Sequence, residues 1–322
     1  MFENNIITHY LISRHMKRIS YLLNLVNLTR LTGSLLLIFY FNVRAQTQFP
    51  SPMVDYARAH ERVSIDQYSG KQFKIEGLLP VPLEAYLPLP NFEMDSLRLL
   101  IHFHGAAYVP IYAVEKSQKP YFLVSIQLGS GSAVYEKAFL EKGLLVRLIN
   151  TITDSLKIIS GDERKISKIY VSSFSAGYGA VRAILNQPDA AQLVDGIILL
   201  DGLHTDYLPE KQLLSEGGTL NSDKLSPFLT YAQLAIEGKK RFLITHTEIF
   251  PGTYASSTET VDYLIQKSGL KRVSVLRWGV LGMQQVSEVR KGNFVVLGFA
   301  GNSAPDHVDH FHALFHFLSY LD

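Results

Sequence analysis

The chain has 322 residues, 47% of them hydrophobic and 11% aromatic, which supplies a large core and argues against a disordered chain. Its 31 basic and 29 acidic residues give a formal charge of +2, with no basic block or aromatic-interleaved basic stripe, so nucleic-acid binding has no electrostatic footing. Cysteine is absent, which removes both a disulfide framework and a lipid-modified leader.

The first 45 residues differ from the rest. They carry Arg14, Lys17, Arg18, Arg30 and Arg44 against the single acid Glu3, and the apolar run 35–41 leads into Val43-Arg44-Ala45. A basic segment, an apolar segment and small residues at a cut site describe a secretory signal peptide, with cleavage expected after Ala45. Met16 is an alternative start. The competing reading is an uncleaved membrane anchor, disfavoured because the apolar run is shorter than the roughly 20 residues of a spanning helix and Arg30 interrupts any longer one. Export to the periplasm or the exterior is therefore expected, with membrane contact only if the leader stays on. Because the leader's five basic residues and one acid exceed the net charge of the whole chain, the remainder is slightly acidic. Residues 46–322 show no repeat or low-complexity linker and are expected to form one α/β domain.

After a surface helix expected near 54–62, residues 72–76 alternate polar and apolar as a half-buried strand does. Residues 83–87 form a second extended piece among prolines, and residues 96–103 are a nearly continuous apolar strand of the kind covered on both faces. That strand runs into His102-Phe103-His104-Gly105-Ala106-Ala107, a turn of small residues that would leave backbone N–H groups uncovered. A further buried strand spans 122–127, and a helix follows over 133–157, broken near Gly143. A short strand at 169–171 then meets a turn, Ser173-Phe174-Ser175-Ala176-Gly177, which opens a helix over 178–186. The turn differs at one position from Gly-x-Ser-x-Gly, in which a serine hydroxyl is held out on a sharp strand-to-helix bend. Ser175 is the candidate nucleophile; Ser172 and Ser173 lack the glycine two places on.

The apolar strand 194–200 ends at Asp201-Gly202. A polar loop over 203–225, with the helix expected over 226–236, makes 203–238 a candidate lid or insert. The remaining strands are expected at 241–246, 273–278 and 294–298, with a helix over 259–267. An amphipathic helix starting at 303–307 closes the chain. Strands alternating with helices predict a mostly parallel central sheet with helices on both faces and an antiparallel first edge.

In such a sheet, chemistry gathers at the carboxyl ends of strands. That rule collects Ser175, the His104-Gly105 turn, Asp201, Glu248, and the histidines His307, His310 and His312. The order Ser175, Asp201, His307 follows the serine–acid–histidine order of the α/β-hydrolases. Over residues 70–322 the chain resembles that superfamily, as an exported, bacterial-type, serine esterase- or lipase-like member. The resemblance implies a Ser175–His307–Asp201 triad and an oxyanion hole from the N–H of Ala176 and that of Ala106 or Gly105. It implies no organic cofactor, and a small-molecule or polymer-borne ester as substrate. The acid stands between Asp201, which abuts its strand, and Glu248, with Asp206 a weaker third. The base stands between His307 in the first helical turn and His310 one turn further. Tyr108, Tyr112 and Tyr254 are candidates for the pocket wall. Two rival readings remain open at this point. One is a metal-dependent hydrolase built on His102, His104, His307, His310 and His312; the other is a catalytically silent binding protein on the same fold.

Overall fold

The computed structural model describes residues 62–64, 68, 70–89, 95–160 and 164–322. The leader, and nearly all of the helix expected over 54–62, lie outside the described residues. Ten strands form one sheet: β1 (Lys71–Ile75), β2 (Leu83–Leu87), β3 (Ser96–Phe103), β4 (Tyr121–Ile126), β5 (Lys165–Phe174), β6 (Gly196–Leu200), β9 (Arg241–His246), β10 (Val273–Trp278), β11 (Gln284–Lys291) and β12 (Phe294–Phe299). Two short strands, β7 (Tyr207–Leu208) and β8 (Thr219–Leu220), make a separate antiparallel ribbon.

The large sheet runs in the order β1-β2-β4-β3-β5-β6-β9-β12-β11-β10. Its centre, from β4 to β12, is parallel throughout. β1 and β2 enter antiparallel at one edge, as the sequence predicts, and β11 and β10 leave antiparallel at the other. The helices are α1 (Tyr108–Ser117), α2 (Ser132–Phe139), α3 (Leu144–Ser160), α4 (Tyr178–Leu185), α5 (Pro188–Leu193), α6 (Ser226–Ile236), α7 (Ser257–Lys267), α8 (Ala304–His312) and α9 (Leu314–Phe317). The break expected near Gly143 separates α2 from α3.

Period-two alternation along the central strands divides the core between two faces. On β3, Leu97, Leu99, Ile101 and Phe103 point into one apolar layer. Leu100 points into the other, which α1 and the C-terminal helices close. In the first layer α3 contributes Leu144, Leu145, Leu148, Ile152 and Leu156, a stripe at helical spacing. Burying each of these leucines contributes about 2 kcal/mol relative to leaving it exposed.

Five elements were not expected from the sequence: the short β7–β8 ribbon, which falls in the stretch read as loop, and β11, α1 and α5. β11 was not expected because its polar residues Gln284, Gln285 and Ser287 are themselves buried, leaving no apolar run to mark it. α1 follows the His104-Gly105 turn directly and contains Pro110, while α5 spans only one and a half turns. Among the described residues, no helix is long and apolar enough to cross a membrane.

Candidate active site

β5 continues well past the expected strand and delivers Ser175 at its carboxyl end. Phe174 is still extended, whereas Ser175 adopts φ 45°, the left-handed region that side chains rarely occupy. One 3-10 turn, Ser175–Gly177, then leads into α4. The bend requires small neighbours on two sides. A Cβ on Gly177 would sit 2.3 Å from the Phe103 carbonyl oxygen, and one on Gly202 would sit 2.3 Å from the carbonyl oxygen of Ser175 itself. Ser173, standing where the motif has glycine, is fully buried and its hydroxyl has no hydrogen-bond partner. Ser172 is buried too, with its hydroxyl 2.8 Å from His102 Nδ1.

Behind the bend, α4 is locked to α2. The Arg182 guanidinium, with its side chain 5% exposed, makes paired bonds to Glu136 at 2.9 and 2.6 Å. A partly buried bidentate pair of this kind fixes the orientation of the two helices.

β6 brings Asp201 beside the serine turn, and its N–H still pairs with the Thr245 carbonyl on β9. The carboxylate is 2% exposed and fully engaged. Its Oδ1 accepts from the Thr247 N–H at 2.9 Å, and its Oδ2 accepts from the Thr247 hydroxyl at 2.8 Å and from His307 Nδ1 at 2.7 Å. Burial, the largest influence, works against ionisation. The His307 bond, the nearby His310 and His307 and the Thr247 N–H outweigh it, holding the carboxyl well below the usual carboxylate range.

His307 lies in the first turn of α8, where a reciprocal cap fixes the helix start. The Ser303 N–H and hydroxyl both donate to Asp306, at 2.8 and 2.7 Å. The His307 ring is 24% exposed and tilts over Phe174, the residue before the serine, at 4.5 Å between centroids. Because Nδ1 faces a carboxylate that can only accept, Nδ1 carries the proton and Nε2 is left with a lone pair.

The other sequence candidates have partners of their own or line the surroundings of Ser175. His310 is fully buried with Nδ1 2.6 Å from the Thr245 hydroxyl, and desolvation pushes its pKa down to about 4. Glu248 accepts from the Gly301 N–H at 3.0 Å, fastening the loop before α8. Asp206 accepts from Lys224 Nζ at 2.5 Å. Gly105 donates its N–H to the Gln127 side chain at 2.7 Å, so that donor is already occupied. The N–H groups of Ala106 and Ala176 have no acceptor among the described residues. Tyr108 and Tyr112 sit on α1 and pack against His312 and Phe315, whereas Tyr254 lines a cleft opening onto Ser175.

His102 donates through Nε2 to the His104 carbonyl at 2.9 Å and is pushed down to about 3 by burial. His104 reaches the Gly129 carbonyl and the Tyr135 hydroxyl, at 3.1 and 3.0 Å. Among the described residues, no three His, Asp or Glu side chains are grouped to hold a metal ion. Two functional candidates went unseen in the sequence. Thr247, one residue past β9, falls under the same strand-end rule that selected Asp201; His204, in the loop after β6, has no spacing to mark it.

The antiparallel entry, the parallel centre and a left-handed serine at a strand-to-helix bend together define the α/β-hydrolase fold. No protein-family model matches the chain, and no curated protein matches it in sequence. Several solved structures are similar to it at a distance. Est1E from Butyrivibrio proteoclasticus is 13% identical, with 78% of this chain and 98% of that chain covered at a TM-score of 0.39. A feruloyl esterase module from Clostridium thermocellum is 11% identical, covering 80% and 93% at a TM-score of 0.45. An S-formylglutathione hydrolase from Staphylococcus aureus is 11% identical, covering 80% and 99% at a TM-score of 0.42.

Proposed function

We propose that the protein is a serine hydrolase that cleaves a carboxylic ester through an acyl-enzyme on Ser175. The observation that carries this reading is the 2.7 Å bond from His307 Nδ1 to the buried Asp201 carboxylate, beside a serine in the left-handed region. That bond fixes the tautomer in which His307 Nε2 is a base, and a serine hydroxyl needs such a base to attack a carbonyl.

In the first half-reaction the Ser175 oxygen bonds to the ester carbonyl carbon as its proton passes to His307 Nε2. The carbonyl π electrons move to oxygen, and the resulting oxyanion is received by the N–H groups of Ala176 and Ala106. A donor of this type contributes on the order of a hundred- to a thousandfold in rate. Collapse of the tetrahedral intermediate breaks the bond to the alcohol, which leaves with the proton from His307. Water then repeats the sequence on the acyl-enzyme, giving the free acid and restoring Ser175. The ionised Asp201 stabilises the imidazolium in both halves and takes no proton itself. Export on the leader 1–45, with cleavage after Ala45, belongs to the same proposal and is read by N-terminal sequencing of the exported protein.

The test is hydrolysis of p-nitrophenyl acetate by wild type, Ser175→Ala and Glu248→Gln. Activity lost only in Ser175→Ala is expected; Ser175→Ala turning over like wild type refutes the proposal.

A further inference from the structure

The cleft that opens onto Ser175 has a volume of about 360 Å³, at the small end of small-molecule sites. Among the described residues, no aliphatic side chain larger than alanine lines it. Its wall is instead Ser130, Ser132, Tyr178, His204, Asp206 and Tyr254. An alkyl chain placed here would gain little burial against apolar surface and would strip water from hydroxyls and a carboxylate.

His204 is held in one state. Its Nδ1 is 2.9 Å from the Ala255 carbonyl oxygen, which can only accept, so Nδ1 carries the proton and Nε2 is an acceptor. The ring stands edge-on between Tyr178 and Tyr254, at 5.5 and 5.1 Å between centroids, and so cannot swing away. Nε2 has no partner within the described residues. Two residues on, Asp206 binds Lys224 through Oδ2, leaving Oδ1 as a second acceptor. Tyr254, 43% exposed, adds a ring face and a hydroxyl.

Two acceptors, several hydroxyls and tyrosine faces, without an aliphatic surface, suit a group that is dense in hydroxyl donors and has a flat C–H face. We propose that this cleft is a specificity subsite for a sugar-type, polyhydroxylated group borne on the scissile ester, with His204 Nε2 as its orienting acceptor. This rests on Ser175 being the nucleophile of the reaction proposed above.

The experiment compares p-nitrophenyl acetate, p-nitrophenyl octanoate and a monoacetylated methyl glucoside on the full chain, in wild type, His204→Phe and Asp206→Asn. His204→Phe preserves a ring between the tyrosines and removes the acceptor. Wild type is expected to cleave the acetyl ester at least about tenfold better than the octanoyl ester. Loss of one acceptor facing a substrate hydroxyl leaves that donor unpaired, so KM for the glucoside should rise about tenfold in His204→Phe, with kcat little changed. The loss should exceed that on p-nitrophenyl acetate by a similar factor, and Asp206→Asn, at a half-exposed position, should shift the same ratio in the same direction. Octanoyl turnover equal to acetyl, no turnover of the glucoside by a wild type that cleaves p-nitrophenyl acetate, or equal losses on both substrates would overturn the subsite and leave the hydrolase intact. Inertness of wild type towards all three esters and towards a fluorophosphonate would instead remove the hydrolase reading, and the subsite with it.

Discussion

Replacing Asp201 by asparagine changes one atom, and the surrounding bonds dictate which way the amide must face. Oδ1 receives the Thr247 N–H at 2.9 Å, a fixed donor, so the amide oxygen must stay at that position. The NH2 then falls at Oδ2, where the Thr247 hydroxyl can turn to accept. His307 Nδ1, 2.7 Å away, can do the same only by losing its proton. The proton then resides on Nε2, and the ring could no longer accept one from Ser175 as the proposed mechanism requires. An equivalent change in a chymotrypsin-type triad costs roughly ten-thousandfold in kcat, so a loss of about a thousand- to ten-thousandfold is expected here, or about 4 to 5 kcal/mol of barrier. The assay is kcat on p-nitrophenyl acetate for wild type and Asp201→Asn, with far-UV circular dichroism to establish that both are folded. A folded Asp201→Asn within tenfold of wild type would refute the tautomer argument, and with it the role of Asp201.

Gly202→Ala drives a Cβ to within 2.3 Å of the Ser175 carbonyl oxygen and 2.7 Å of its nitrogen. Since neither backbone atom can yield cheaply, a loss of about 1–3 kcal/mol in urea unfolding together with slower fluorophosphonate labelling is expected; wild-type values in both would count against the close approach. Ser173→Ala removes a buried hydroxyl without a partner, so unfolding free energy should rise by about 1 kcal/mol, and a comparable fall would show that the hydroxyl is satisfied. In acid, His102 is held down to about 3 and His246 and His310 to about 4, all mainly by burial. Their folded pKa values lie below the unfolded value of 6.5, so the unfolded chain binds more protons and stability falls as pH drops through 6.5 towards 4. Three such groups give a slope on the order of 4 kcal/mol per unit between about pH 5 and 6; unfolding free energies that are flat from pH 7 to 5 would contradict it.

Most of the sheet was legible because buried parallel strands are written as uninterrupted apolar runs. Of the parallel strands β3 and β9 begin and end where the sequence places them, as do the antiparallel β2 and β10, and the others named there shift by a few residues. β11 was hidden because three of its four buried positions, Gln284, Gln285 and Ser287, are polar and only Val289 is apolar, so periodicity had little signal to report. At the site, strand-end placement gathers Ser175, Asp201, Glu248 and the histidines of α8 as candidates. Asp201 and Glu248 both follow apolar strands, and only in three dimensions do their contacts differ: one carboxylate bonds His307 on α8 and the other fastens the Gly301 loop. The Gly105 N–H looked equivalent to that of Ala106 until Gln127, a residue 22 positions on, was seen to accept from it. His204 was illegible for a different reason. Its chemistry comes from the Ala255 carbonyl and two tyrosines brought in from distant elements, and no local pattern encodes that meeting.

Labelling with a fluorophosphonate tests most directly whether Ser175 is an activated nucleophile. Wild type and Ser175→Ala, both folded, would be treated with the probe, digested, and the adduct located by peptide mapping. Stoichiometric labelling of wild type on Ser175, with none in Ser175→Ala, is the expected result. Folded wild type that resists the probe, or a label mapped to another serine, would contradict the account.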